Sequence, residues 1–177
     1  MRRLVADGKA GLAGLDIFVN SAAVPVMTPL GSTTGETFDR VMAINARGPF
    51  FAMQHAAMRL REGGRIVNIS TVTTRWPRVP ESAYIGSKAA LEAFTRVAAR
   101  ELAPRQITVN TVSPGPSDTE MLRGSTTQEI RDQVVADTPL RRLGRPPEIA
   151  AVVALLVGPD EVWVTDQNIR ADGGLVY

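Results

Sequence analysis

Tyr84 and Lys88 stand four residues apart in Ser-Ala-Tyr-Ile-Gly-Ser-Lys, residues 82–88. On a helix that spacing puts both side chains on one face, one turn apart. An ammonium beside a phenol favours the phenolate, and is expected to draw the tyrosine pKa from about 10 toward neutrality. A tyrosine tuned in that way can serve as a general acid or base. The pair alone is weak evidence, because Tyr-x-x-x-Lys arises often by chance. An ordinary pair on a solvated helix face is the simpler account of an isolated match, so its weight must come from the rest of the chain.

Short apolar runs alternate with longer helical stretches. Residues 2–12 read as a short helix, and Leu15–Asn20 (LDIFVN) as a buried strand. From Thr37 to about Leu60, Phe38, Val41, Met42, Phe50, Met53 and Ala57 recur at helical spacing, with Gly63 and Gly64 as the stop. Arg65–Ser70 reads as a second strand, residues 82–102 as a long helix, and Ile107–Val112 as a third strand. Ser113-Pro114-Gly115-Pro116 is expected to break that strand. A short helix near 128–136, a proline-started helix over 147–157 and a last strand at 167–170 complete the reading. Such alternation predicts a doubly wound parallel sheet covered by helices on both faces, in one domain. Ligands of these sheets bind beyond the carboxyl ends of the strands. Asn20-Ser21-Ala22-Ala23, Ser70-Thr71 and Ser113-Pro114-Gly115 all fall there.

Composition narrows the chemistry. The 177 residues can bury a core, and 44% hydrophobic with 21% charged residues is ordinary for a globular chain. No cysteine is present, which excludes disulfides, thiol nucleophiles and Cys-based zinc sites. A single histidine, His55, cannot build a His-rich metal site, so no metal is expected. The net charge of +2 is small and the arginines are scattered, which argues against nucleic acid as a partner. No apolar run reaches the roughly 18 residues of a membrane span. A cytoplasmic protein with no membrane partner is the expectation.

With these elements in order, the chain resembles the short-chain dehydrogenases/reductases, 3-oxoacyl-thioester reductases among them, from about Leu15 to Gly174. Leu15–Ala23 resembles that family's fourth-strand signature, which usually ends Asn-Asn-Ala-Gly. Asn45 matches its helix asparagine, and Gly64–Thr71 the strand that delivers a catalytic hydroxyl. Tyr84 and Lys88 match its catalytic pair. Val112-Ser113-Pro114-Gly115 with Thr119 resembles the segment near the nicotinamide, and residues 139–150 and Asp172-Gly173-Gly174 are typical of its tail. The resemblance implies hydride transfer between NAD or NADP and a carbonyl or secondary alcohol. It makes Tyr84 the acid/base and Lys88 its helper and ribose ligand. Asn45 would hold a relay water, and a small hydroxyl residue would polarise the substrate oxygen. Asn20, Ala22, Tyr84, Lys88, Pro114, Gly115 and Thr119 would contact the cofactor. The helices at 37–60 and 82–102 correspond to those that build the family's dimers and tetramers.

The chain departs from that pattern in places. Counting thirteen residues back from Tyr84 lands on Thr71 rather than Ser70. Thr71 is the expected hydroxyl, with Ser70 the alternative if the loop is shifted. Ser21 and Ala23 replace an amide and a glycine. Asp166 stands where Thr-Gly is usual, at a turn whose left-handed backbone an aspartate tolerates. No Gly-x-x-x-Gly-x-Gly cradle for a pyrophosphate precedes Leu15. Two strand–helix units and a strand, roughly 60–70 residues, are missing by comparison. These 177 residues therefore read as the C-terminal two-thirds of a longer enzyme, with residues 15–20 left as a sheet edge. The rival expectation is a silent remnant that survives as a dimerising or interaction module. Trp76, Met121 and Leu122 are candidate lining residues of the substrate pocket.

Overall fold

The computed structural model describes residues 14–176. The helix expected over 2–12 lies outside them. Four parallel strands form one sheet in the order β1-β2-β3-β4: β1 (Leu15–Asn20), β2 (Leu60–Ile69), β3 (Thr108–Pro114) and β4 (Asn168–Ala171). The register pairs Val19 with Val67, Val67 with Asn110, and Val112 with Ile169. Among the described residues β1 pairs only with β2, so it forms an edge, and Ile17 and Val19 are more than two-fifths exposed.

Alternation along β2 and β3 sorts the core into two layers. Ile66 and Val109 face α2 (Gly48–Ala57) and α3 (Ser82–Leu102), packing with Met53, Ala56, Leu60 and Ala99. Val67 and Val112 face α6 (Pro146–Leu156), against Leu156, Ile149 and Val153. Each fully buried valine, leucine or isoleucine among them stabilises the fold by about 1.5–3 kcal/mol relative to exposure. The doubly wound architecture expected from the alternation is therefore present, with four strands. None of the described helices is long and apolar enough to cross a membrane.

Boundaries differ from the expectations in instructive ways. The helix expected over 37–60 is two helices joined by a wider turn. The first is α1 (Gly35–Met42), started by the Thr34 hydroxyl accepting from the Thr37 amide; a π-turn over Ala43–Arg47 leads into α2. The chain leaves the helix at Ala57 because the Arg105 guanidinium takes the carbonyls of Ala57 and Leu60, and Leu60 is buried in the core as the first residue of β2. Gly63 and Gly64 are thus not a helix stop. They sit in a bulge of β2, where Gly63 has φ +71° and a Cβ on Gly64 would lie 3.2 Å from the Asp16 carbonyl. Nor does Ser113-Pro114 break β3. Proline at its end needs no amide donor, since the Gly115 N–H supplies the bond to the Ala171 carbonyl. Two short helices, α4 (Glu120–Ser125) and α5 (Gln128–Asp137), lie between β3 and α6. Asp166 does take the left-handed turn, at φ +62°, whereas Ala23 has no positive φ.

Candidate active site

The carboxyl ends of β1, β2 and β3 open into a cavity of about 560 Å³, closed on one side by α3 and on another by the 116–125 strap. Tyr84 and Lys88 reach it because α3 presents one buried stripe: Ala83, Ser87, Leu91, Thr95 and Ala99, flanked by Lys88 and Glu92. Thr71 enters from the end of β2, where its hydroxyl caps the turn over Val72–Thr74 and lies 3.1 Å from the Thr73 hydroxyl. Pro114, Gly115 and Thr119 line the wall after β3, and Ser21 and Ala23 the wall after β1. Trp76, Met121 and Leu122 line it as well, alongside Met27 and Val72. A Cβ on Gly115 would come within 2.6 Å of the Asp172 Cα, so that wall packs tightly on the segment after β4.

Two expected site residues, Asn20 and Asn45, stand behind the wall. Asn20 donates to the Asn68 side chain at 3.2 Å, and Asn68 in turn to Thr95 at 3.0 Å; this amide chain ties β1, β2 and α3 together despite the serine at position 21. The Asn45 side chain is fully buried in the π-turn. Its oxygen accepts from the Val24 amide at 2.8 Å, and its nitrogen donates to the Val24 carbonyl and the Ser87 hydroxyl at 2.9 and 3.2 Å. Those bonds fasten the loop that carries Ala23, Val26 and Met27 into the cavity wall. Ala22 is not among the lining residues.

The electrostatics correct one expectation. Burial pushes the Tyr84 phenol up to about 12 rather than down, and the Glu81 carboxylate adds to the rise. The Thr71 hydroxyl, within reach of the phenol, works against it. Lys88 does not relieve the phenol because its ammonium is turned to the Ile69 carbonyl, 2.7 Å away. Burial also brings Lys88 down to about 8, opposed by the charge of Glu92. Glu92 itself went unread in the sequence. It accepts from the Ser70 hydroxyl at 2.6 Å and from Thr74 at 2.8 Å. The available signal was a third polar residue in the same helical register, at positions 84, 88 and 92.

A protonated phenol, a cation and a hydroxyl converging at parallel-strand ends are the parts of a site that moves a proton to or from a substrate oxygen. The family described as enoyl-(acyl carrier protein) reductase matches residues 1–176. A hydroxynaphthalene reductase-like protein of Metarhizium brunneum is 39% identical, over 98% of this chain and 70% of its own length. The chain belongs to the short-chain dehydrogenase/reductase family. A solved member from Brucella melitensis superposes with a TM-score of 0.95 at 32% identity, covering 99% of this chain and 71% of that one. A blue fluorescent protein from a metagenomic library, solved with NADPH, gives 0.93 at 38% identity over the same shares.

This short-chain dehydrogenase/reductase is accordingly an oxidoreductase whose cofactor is NAD or NADP. The residues present fit the nicotinamide side of that cofactor. Lys88 and Thr119 offer a cation and a hydroxyl at the cavity wall, beside the small Gly115 and Ser21. Among the described residues no glycine-rich turn stands ready for the pyrophosphate.

Proposed function

We propose that the chain reduces the carbonyl of a largely apolar, ring-bearing ketone, with Tyr84 as proton donor and Lys88 and Thr71 as its partners. The carrying observation is that these three side chains, from the turn after β2 and from α3, line one cavity. Bound there, the nicotinamide supplies the hydride. The Thr71 hydroxyl donates to the carbonyl oxygen and polarises it. Tyr84, protonated throughout the neutral range and so in its donor form, gives its proton to that oxygen as charge develops. As that charge appears, the Lys88 ammonium turns from the Ile69 carbonyl to the phenolate left behind. Asn45 acts through position, by fastening the Val24 loop and Ser87. The chain is read as belonging to one domain, and it spans about 70% of the length of the Metarhizium relative.

Substrate class follows from the lining. Met27, Val72, Trp76, Met121 and Leu122 are apolar, and Arg78 and Glu81 are the charged lining residues besides Lys88. The name of the Metarhizium relative, a hydroxynaphthalene reductase-like protein, accords with an aromatic ketone. The half-exposed Phe50, Phe51 and Val97 on α2 and α3, with Phe50 edge-on to Phe94 at 5.1 Å, support pairing of two chains through those helices. Fluorescence titration of the chain with NADPH and NADH tests the reading. Saturable binding at micromolar levels supports it. A folded chain that binds neither overturns it in favour of an interaction module.

A further inference from the structure

Glu92 has no part in the proton transfer just described, yet it is nine-tenths buried beneath the site. A carboxylate there must be held by donors and matched by a cation, or it is too costly to keep. Both conditions are met by named groups. The Ser70 and Thr74 hydroxyls both donate to its Oε1, at 2.6 and 2.8 Å. The cation one turn away is Lys88, itself 2% exposed and bonded to the Ile69 carbonyl. No salt bridge joins the two side chains directly, so the charges act on each other through a poorly screened interior.

We propose that Glu92 is a positioning residue of this site: a buried carboxylate, anchored by Ser70 and Thr74, whose charge keeps Lys88 an ammonium one helical turn away. The inference rests on the reading of Lys88 as part of the proton-transfer machinery. Its consequence is a division of labour at the end of β2. Ser70 is committed to Glu92, which leaves the neighbouring Thr71 hydroxyl for the substrate. The other charged or titratable groups around Lys88 are Tyr84 on the same helix, Glu81 at its N-cap and Arg78 in the loop before it. None of them is a carboxylate held in place by hydroxyl donors, as Glu92 is. The Glu92 charge acts on Lys88 in the raising direction, against burial.

The lysines of the chain are Lys9 and Lys88, so a sample labelled with carbon-13 at the lysine side chain gives a resolvable pair of signals. Their titration is followed by NMR in wild type, Glu92→Gln and the double variant Ser70→Ala/Thr74→Val. The glutamine keeps an oxygen for both hydroxyls but removes the charge. The Lys88 midpoint should fall by about one pH unit in that variant. It should fall part-way in the double variant, whose carboxylate is no longer held. Glu92→Asp, which keeps the charge, should restore most of the wild-type midpoint. Coincident Lys88 titrations in wild type, Glu92→Gln and the double variant overturn the proposal. A Tyr84→Phe variant that keeps wild-type turnover would instead overturn the proposed function and leave the Lys88 titration unaffected.

Discussion

Replacing Lys88 by methionine exposes the energetic cost of the site. Lys88 titrates near 8 in the fold against 10.5 when free, with burial as the leading cause. Between those values the unfolded chain holds a proton that the native chain has lost, so stability rises with pH across this window. The slope is about 1.4 kcal/mol per pH unit, and the full window corresponds to about 3 kcal/mol. Lys88→Met has no such proton to exchange. The stability difference, wild type minus variant, should therefore be flat below pH 8, climb by about 3 kcal/mol up to pH 10.5, and flatten again. Urea unfolding at a series of pH values, followed by the fluorescence of Trp76 at the cavity, measures both chains alike. Other titrating groups cancel in the difference. Parallel curves across the window would refute the claim that Lys88 is buried as a strained cation.

The division of labour at the end of β2 gives a second expectation. Thr71→Ala should lower kcat by about 100- to 1000-fold, as loss of a transition-state donor does, while Ser70→Ala stays within about tenfold of wild type. Steady-state rates on an aryl ketone decide it, and the reverse order would assign the hydroxyl to Ser70. At the π-turn, Asn45→Asp keeps the shape but turns the donor facing the Val24 carbonyl and Ser87 into an acceptor. It should destabilise the fold by about 2–3 kcal/mol in chemical denaturation.

Much of this was legible in the residues. Apolar runs at 65–69 and 107–112 announce buried parallel strands, the run at 15–20 announces a strand that stands instead at the exposed edge, and the helix over 82–102 is found with those bounds. Tyr84, Lys88 and Thr71 do meet at one cavity. What failed was where tertiary contacts outvote local pattern. The apolar period of 37–60 runs through the π-turn unbroken, because a π-turn changes hydrogen bonding without changing composition. Leu60 starts a strand only because Arg105, 45 residues away, caps the preceding carbonyls. The expected fall in the tyrosine pKa considered one neighbour and left out burial, which a sequence does not display. The loop that Asn45 fastens is not displayed by a sequence either, since its amide bonds Val24, 21 residues away, and Ser87, 42 away. Glu92 lay in plain register with Lys88, but a lone carboxylate on a helix is usually a solvated one.

The central claim is that Tyr84 moves the proton. Oxidation of reduced nicotinamide by an aryl ketone, measured with wild type and with Tyr84→Phe at equal cofactor occupancy, tests it most directly. The phenylalanine keeps the ring and removes the donor, so kcat should fall by about 100- to 10,000-fold with cofactor affinity little changed. Equal rates in the two chains would contradict the account.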